Sequence, residues 1–447
     1  MSGVPSRYKR WDEEGHITVN PVDIALIFFL FLVMLNYRAR RSVLYPPFIF
    51  CAMWLLVLLV VRSGLVELDP VHGNTLAIVA AGAASFSAGG LLAGLAPREW
   101  LRIHIHIHLF TPRPKKTSEF LRNMLIIVLL CGLPVMFYHT WQLGRSQGSG
   151  LNILMQARLA MVEEVRDEKP SASTVLAATF TSIATLASLL MATEKKDRKF
   201  WIVTAVALIA CVLSTGRVDL LILISGLSAI RLLQRKQESL LCALRLLRWP
   251  IALFVALYIG LIFANKNTET MTGGVTGIAT VLVLSYIACP LAAFDRVVQS
   301  PADFIMTASH TFKFPLRLAA ALHLTNYTSP PLLDSFVFVP FPTNVYTVFK
   351  FYFLELGIVG ALILLFFVGL LHSLLYLRAR QGGRFSTYLF AYCMLPVLMV
   401  IFDDWYYNIG TYLRVIAFGL LYYVGRNVSL RLFLANQQRA PLLANRA

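Results

Sequence analysis

Apolar runs of about 16–23 residues recur along the whole chain, and that is the length a helix needs to cross roughly 30 Å of hydrocarbon. They fall near 22–37, 43–62, 75–95, 121–142, 173–193, 200–215, 218–233, 249–264, 351–375, 385–402 and 409–425. With 57% hydrophobic residues, only 14% charged and a mean hydropathy of +0.68, the chain cannot surround itself with the polar exterior of a soluble domain. The expected fold is all-α: a polytopic integral membrane protein, residues 1–447 as one transmembrane domain of about eleven helices. Two substantial loops, 143–172 and 265–350, lie on one face. The second is too long to be structureless in a compact protein, so short helices and a functional surface are expected in it.

Charge placement sets the topology. The net charge of +17 could suggest nucleic acid, but most of the 40 Lys and Arg residues fall in alternate loops. They lie around Arg38–Arg41, Arg98–Arg122, Lys195–Lys199, Arg231–Arg248 and Arg378–Arg384, and in the tail from Arg426. One threading puts all of these on the cytoplasmic side. The C-terminus is then inside and the N-terminus outside, where Arg7, Lys9 and Arg10 are partly offset by Asp12, Glu13 and Glu14. If the apolar stretch 275–294 crossed fully, the basic segments after it would face outward, so an interfacial or re-entrant helix is expected there. The six cysteines show no paired spacing, which implies neither a disulfide framework nor a metal knuckle. The first apolar run lacks a small-residue cleavage site and is expected to stay as an anchor. No internal repeat of 20–50 residues is apparent.

Polar chemistry gathers on the outer face. Pro340 to Phe349, with Asn344, Tyr346, Thr343 and Thr347, forms a polar turn directly before a long apolar helix, a place where a bilayer protein needs a reason to keep such side chains. Arg217, in the hairpin Ser214-Thr215-Gly216-Arg217, suits an anion clamp, or is a snorkelling arginine paired with Asp219. His310 is the loop's candidate for proton transfer; Asp295 is an alternative base, or a solvated partner of Arg296. Arg296, Lys313 and Arg317 are further cations in the same loop, and Tyr286 a further polar aromatic. His104, His106 and His108 alternate on one face, but no Cys or carboxylate completes a ligand set, and a headgroup-contacting segment is expected instead. Asp403-Asp404, in a short outer turn, either borders the same cavity or is a solvated acidic pair. No Walker, dinucleotide or nucleophile-elbow motif is present, so no nucleotide or other cofactor is expected.

The chain resembles the bacterial O-antigen polymerases, the Wzy-type oligosaccharide repeat-unit polymerases. The likeness is carried by Ser214-Thr215-Gly216-Arg217 before a Leu-rich span, by Tyr286 through Pro290-Leu291-Ala292-Ala293-Phe294-Asp295, and by Pro342-Thr343-Asn344-Val345-Tyr346-Thr347 leading to Glu355-Leu356-Gly357 and Gly360. His310-Thr311-Phe312 and Asn20-Pro21 are similar too. Glu355-Leu356-Gly357 stands where the family often has Asp-Phe-Gly, a carboxylate one methylene longer.

The resemblance implies a multi-spanning, GT-C-like glycosyltransferase of the bacterial inner membrane with its active site facing the periplasm. It would join oligosaccharide units carried on undecaprenyl diphosphate. Membrane lipids and a chain-length-regulating co-polymerase would be its partners, and nucleic acid would not. In that scheme Arg217 steadies the leaving diphosphate, helped by Arg296, Lys313 or Arg317. His310 or Asp295 is the base, while Asn344, Tyr346, Thr347 and Tyr286 hold substrate. An O-antigen ligase would use similar machinery. A lipid-oligosaccharide flippase would instead need polar residues spread through several spans and two comparable halves.

Overall fold

A computed structural model describes residues 20–65, 68–95, 115–146, 153–166, 171–194, 196–214, 217–236, 239–245, 248, 252, 274–304, 306, 308–330, 334–339, 341–406 and 408–423. Its main helices are α1 (Pro21–Arg40), α2 (Pro46–Ser63), α3 (Gly73–Leu95), α4 (Lys115–Ser146), α5 (Ile153–Arg166), α6 (Ala172–Ala192), α7 (Arg198–Leu213) and α8 (Arg217–Arg235). Then come α9 (Gly274–Gln299), α10 (Lys313–Ala321), α11 (Phe349–Arg380), α12 (Arg384–Tyr392), α13 (Met394–Leu398) and α14 (Ile409–Tyr423). The only strands among the described residues are the two-residue pair Val337–Phe338 and Pro342–Thr343. The protein is all-α and polytopic.

Among the described residues, seven helical segments are long and apolar enough to cross a membrane: α1, α2, α3, Glu119–Ser146 of α4, α6, α11 and Arg384–Ile401. Eleven spans were expected. The sixth, seventh and eleventh exist as α7, α8 and α14, but α7 is short, α14 is described only as far as Tyr423, and α8 carries Arg217, Asp219, Arg231 and Arg235. Nearly all of the eighth, 249–264, lies outside the described residues. Local chemistry sets several starts. Asn20 accepts from the Val22 N–H with Pro21 at the first turn, Ser171 accepts from Thr174, and Asp197 accepts from Phe200.

Two hydrophobic cores share one seam. The first is built on α1, α2, α3, α9 and α11, the second on α6, α7, α8 and α14. The broken segment Arg384–Ile401 feeds both: Phe390, Met394, Val397 and Val400 face the first core, and Tyr388, Ala391, Tyr392 and Leu395 the second. The stretch 275–294 forms most of α9, and its C-terminal half is not a surface element. Leu291, Ala293, Phe294 and Val297 are completely buried in the first core.

The segments that the charge pattern assigns to one face meet at one end of the bundle. Arg296 contacts Asp69, Asp295 contacts His72, and Val348 donates to the Val400 carbonyl. At the other end Arg122 meets Asp197, and the Tyr422 hydroxyl donates to Glu194.

Helices α3 and α11 run parallel and very close. The Ser85 hydroxyl donates to the Leu362 carbonyl, and a Cβ added at Gly89 or Gly369 would collide with the backbone of the facing helix. α11 is not one rod, as the run 351–375 suggests, but two pieces joined at Gly357, whose φ of 66° and ψ of −177° break the helix. Phe349 packs at the level of Gly82 and Leu365. Gly82 lies nine residues into α3, so at 1.5 Å per residue Phe349 sits roughly 14 Å below the rim. Residues 349–356 are therefore an arm that climbs out of the core before the chain turns at Gly357 and descends.

Candidate functional site

The rim of this end is tied by the pair Asp295–Arg296. The Asp295 carboxylate accepts from the His72 backbone N–H at 3.0 Å and from the Thr75 hydroxyl at 2.6 Å, and lies 2.8 Å from His72 Nδ1. It caps the entry to α3 from another helix. Arg296 pairs with Asp69 at 2.7 Å, not with its sequence neighbour. The solvated-pair expectation is corrected: Asp295 is 5% exposed with its carboxylate engaged in three contacts, and Arg296 has a different carboxylate partner.

His310 and Glu355 form a second tie. Glu355, at the top of the climbing arm, accepts from the Ser309 hydroxyl at 2.6 Å, the His310 N–H at 2.6 Å and the Thr311 N–H at 3.1 Å. His310 stacks on Phe351 with ring centroids 3.9 Å apart. Burial pushes the imidazole down to about 4, so it is neutral at physiological pH. Glu355 thus anchors the loop 309–311 on the arm.

Deeper, the polar turn before α11 is packed into the core, with Tyr346, Thr347, Val348 and Phe349 all buried. Burial pushes the Tyr346 phenol up to about 12, keeping it a donor, and it donates to the Ser335 carbonyl. Thr347 Oγ1 accepts from the Phe349 N–H, which fixes the foot of the arm. Asn344 is half-buried. Lys350, 4% exposed, pairs with Asp334 at 2.9 Å. Its ammonium lies 3.6 Å from the Tyr346 ring centroid and 5.1 Å from that of Phe351.

The turn joining Arg384–Ile401 to α14 has two readings from sequence, solvated or bordering the site. Asp404 is 0% exposed, so the solvated reading of this turn is wrong. Its Oδ1 accepts from the Tyr352 hydroxyl at 2.9 Å and the Tyr406 N–H at 2.8 Å. Asp404 Oδ2, Trp405 Nε1 and the Tyr406 hydroxyl are buried with no hydrogen-bond partner among the described residues. Burial pushes Asp404 up to about 7, and burial plus the neighbouring Asp404 pushes Asp403 up to about 8. Beside the turn, Tyr392, Leu395, Pro396, Trp405, Asn408, Thr411 and Tyr412 line a cavity of only about 30 Å³. That is below the roughly 300 Å³ at which small-molecule sites begin.

The remaining expected residues divide. Tyr286 stacks on Phe402, at the start of the same turn. Lys313 is buried at the first position of α10, and Arg317 is exposed on that helix. Arg217 opens α8, across the seam from His310 and Tyr346; Thr215 and Gly216 lie outside the described residues. The Leu213 carbonyl accepts from Thr140, and the contacts Thr185–Cys211 and Ser188–Thr204 set α7 antiparallel to α6. Leu213 then faces the region of Thr181, so the end of α7 lies roughly 14 Å below the start of α6. His104, His106 and His108 lie outside the described residues. No group of three or more metal-ligating side chains occurs among the described ones. No family model, curated protein or solved structure matches the chain.

Proposed function

We propose that the chain is a glycosyltransferase of the bacterial inner membrane that polymerises oligosaccharide repeat units carried on undecaprenyl diphosphate, working at the periplasmic end of the bundle. The observation that carries this reading is a recessed polar cluster, Lys350, Asp334, Tyr346, Tyr352, Asp403, Asp404 and Tyr406, set among broken helices. An acceptor hydroxyl attacks the anomeric carbon of the donor. The new C–O bond forms as the sugar–phosphate bond breaks, the electron pair leaves with the lipid diphosphate, and the hydroxyl proton passes to a base. A carboxylate held near pH 7 suits that last task better than a histidine held near 4, so the base moves from His310 or Asp295 to the Asp403–Asp404 turn. The test is elongation of extracted lipid-linked repeat units by purified protein in proteoliposomes. A polymer ladder supports the reading. Transfer of finished polymer to a lipid A-core acceptor, without a ladder, would make it a ligase.

A second reading has one observation in its favour. Interrupted helices with buried carboxylates between them are also how transporters build a binding site at mid-depth. Proteoliposomes that move lipid-linked oligosaccharide between leaflets without lengthening it would favour transport.

A further inference from the structure

Lys350 is a buried cation with a replaceable partner. Three aromatic rings lie about its ammonium, Tyr346 at 3.6 Å, Phe351 at 5.1 Å and Phe304 at 6.0 Å. Its carboxylate partner Asp334 belongs to the outer loop, and its side chain is 25% exposed against 6% for that of Lys350. The ion pair therefore reaches solvent through Asp334. Leaving a desolvated ammonium without an anion is costly, and one anion can be exchanged for another without leaving the charge bare.

We propose that Lys350 is the cation that receives the diphosphate of a polyprenyl-linked substrate, and that Asp334 holds its place in the resting protein. Asp403, on the turn facing Lys350, is the other carboxylate near it; held up to about 8, it is largely protonated at neutral pH and does not compete as an anion. Lys313 and His310 stand on the same loop, the first adding positive charge and the second neutral. The assignment rests on the glycosyl-transfer reading for its substrate class, and it adds a cation that the hairpin of Arg217 does not supply.

The test uses the full-length protein in lipid nanodiscs, titrated with farnesyl diphosphate, inorganic pyrophosphate and farnesol. Wild type is expected to bind farnesyl diphosphate. Lys350→Met should weaken that binding at least about tenfold, Lys350→Arg should retain it, and Asp334→Asn should tighten it about tenfold by removing the competing anion. If Asp334→Asn does not fold, the double variant Asp334→Asn/Lys350→Met, which removes both charges, must bind as weakly as Lys350→Met alone. Equal binding by wild type and Lys350→Met overturns the proposal, as does an Asp334→Asn protein that folds yet binds more weakly. Pyrophosphate binding as tight as that of the farnesyl ester, or farnesol binding equal to it, overturns a lipid-diphosphate ligand. A wild type that binds through Lys350 but fails to elongate sinks glycosyl transfer and leaves this site standing.

Discussion

Gly357→Ala has opposite signs under the two accounts of α11. Were the run 351–375 one continuous helix, the substitution would replace a poor helix former by the best one and stabilise the protein by about 0.8–1.0 kcal/mol. The observed backbone, φ 66° and ψ −177°, lies in a region that is essentially restricted to glycine, where a side chain costs about 1–3 kcal/mol. Nothing lies within 4 Å of a Cβ built at this position, so the cost is conformational alone and truncating a neighbour cannot relieve it. Gly89 is the contrast. There an added Cβ meets the Phe366 carbonyl, and the penalty is steric, on the order of 1–3 kcal/mol for pushing α3 off α11. Unfolding midpoints of detergent-purified wild type, Gly357→Ala and Gly357→Asn measure the effect, and both variants should fall below wild type. An alanine variant as stable as wild type, or more so, would refute the climbing arm, and with it the placement of Lys350 and Tyr352 beside the buried turn.

Asp295→Asn should lower stability, since it weakens the contact with His72 at the entry to α3, yet leave elongation within a few-fold of wild type; complete loss of polymer from well-folded protein would restore Asp295 as the base. Asp404→Asn should lower elongation roughly 100-fold or more, the usual worth of a general base. The same variant should be more stable than wild type above pH 7. Asp404 is held up to about 7, so the folded state keeps a proton between about 4 and 7 that the unfolded chain has released, and stability falls as pH rises through that window. The amide keeps the acceptor used by Tyr352 and Tyr406 and has no charge to gain, and unfolding at pH 6 and 8 would reveal the difference. His310 runs the other way. Held down to about 4, it stays unprotonated when an unfolded histidine takes up a proton near 6.5, so acidification from 6.5 to 4 destabilises the fold, and His310→Gln should flatten that slope in a pH series of unfolding midpoints.

What hydropathy could show, it showed: α1, α2, α3, α6 and α11 begin and end within a few residues of the apolar runs, because burial in lipid and an unbroken helix both follow from composition. Depth is what composition does not report. Phe351-Tyr352-Phe353-Leu354 and Leu362-Ile363-Leu364-Leu365 fall within one apolar run, yet one piece rises and the other descends, and the difference lies in a single positive φ at Gly357. The Asp403–Asp404 turn is ambiguous in sequence for a related reason. A turn between two spans sits at the surface only if both spans run unbroken to it, and the segment before this one is interrupted, as Arg384–Tyr392, Met394–Leu398 and a 3-10 turn Met399–Ile401. Hydropathy does not report those breaks, and the turn that follows them has Asp404 fully buried. The neighbours Asp295 and Arg296 were legible. Adjacent residues on a helix point about 100° apart and do not face each other, so each had to find its partner elsewhere, and both found it on the stretch from Asp69 to Thr75. The rim is therefore held by the Arg296–Asp69 ion pair and the contacts of Asp295, and the proposed chemistry falls to the groups beneath it.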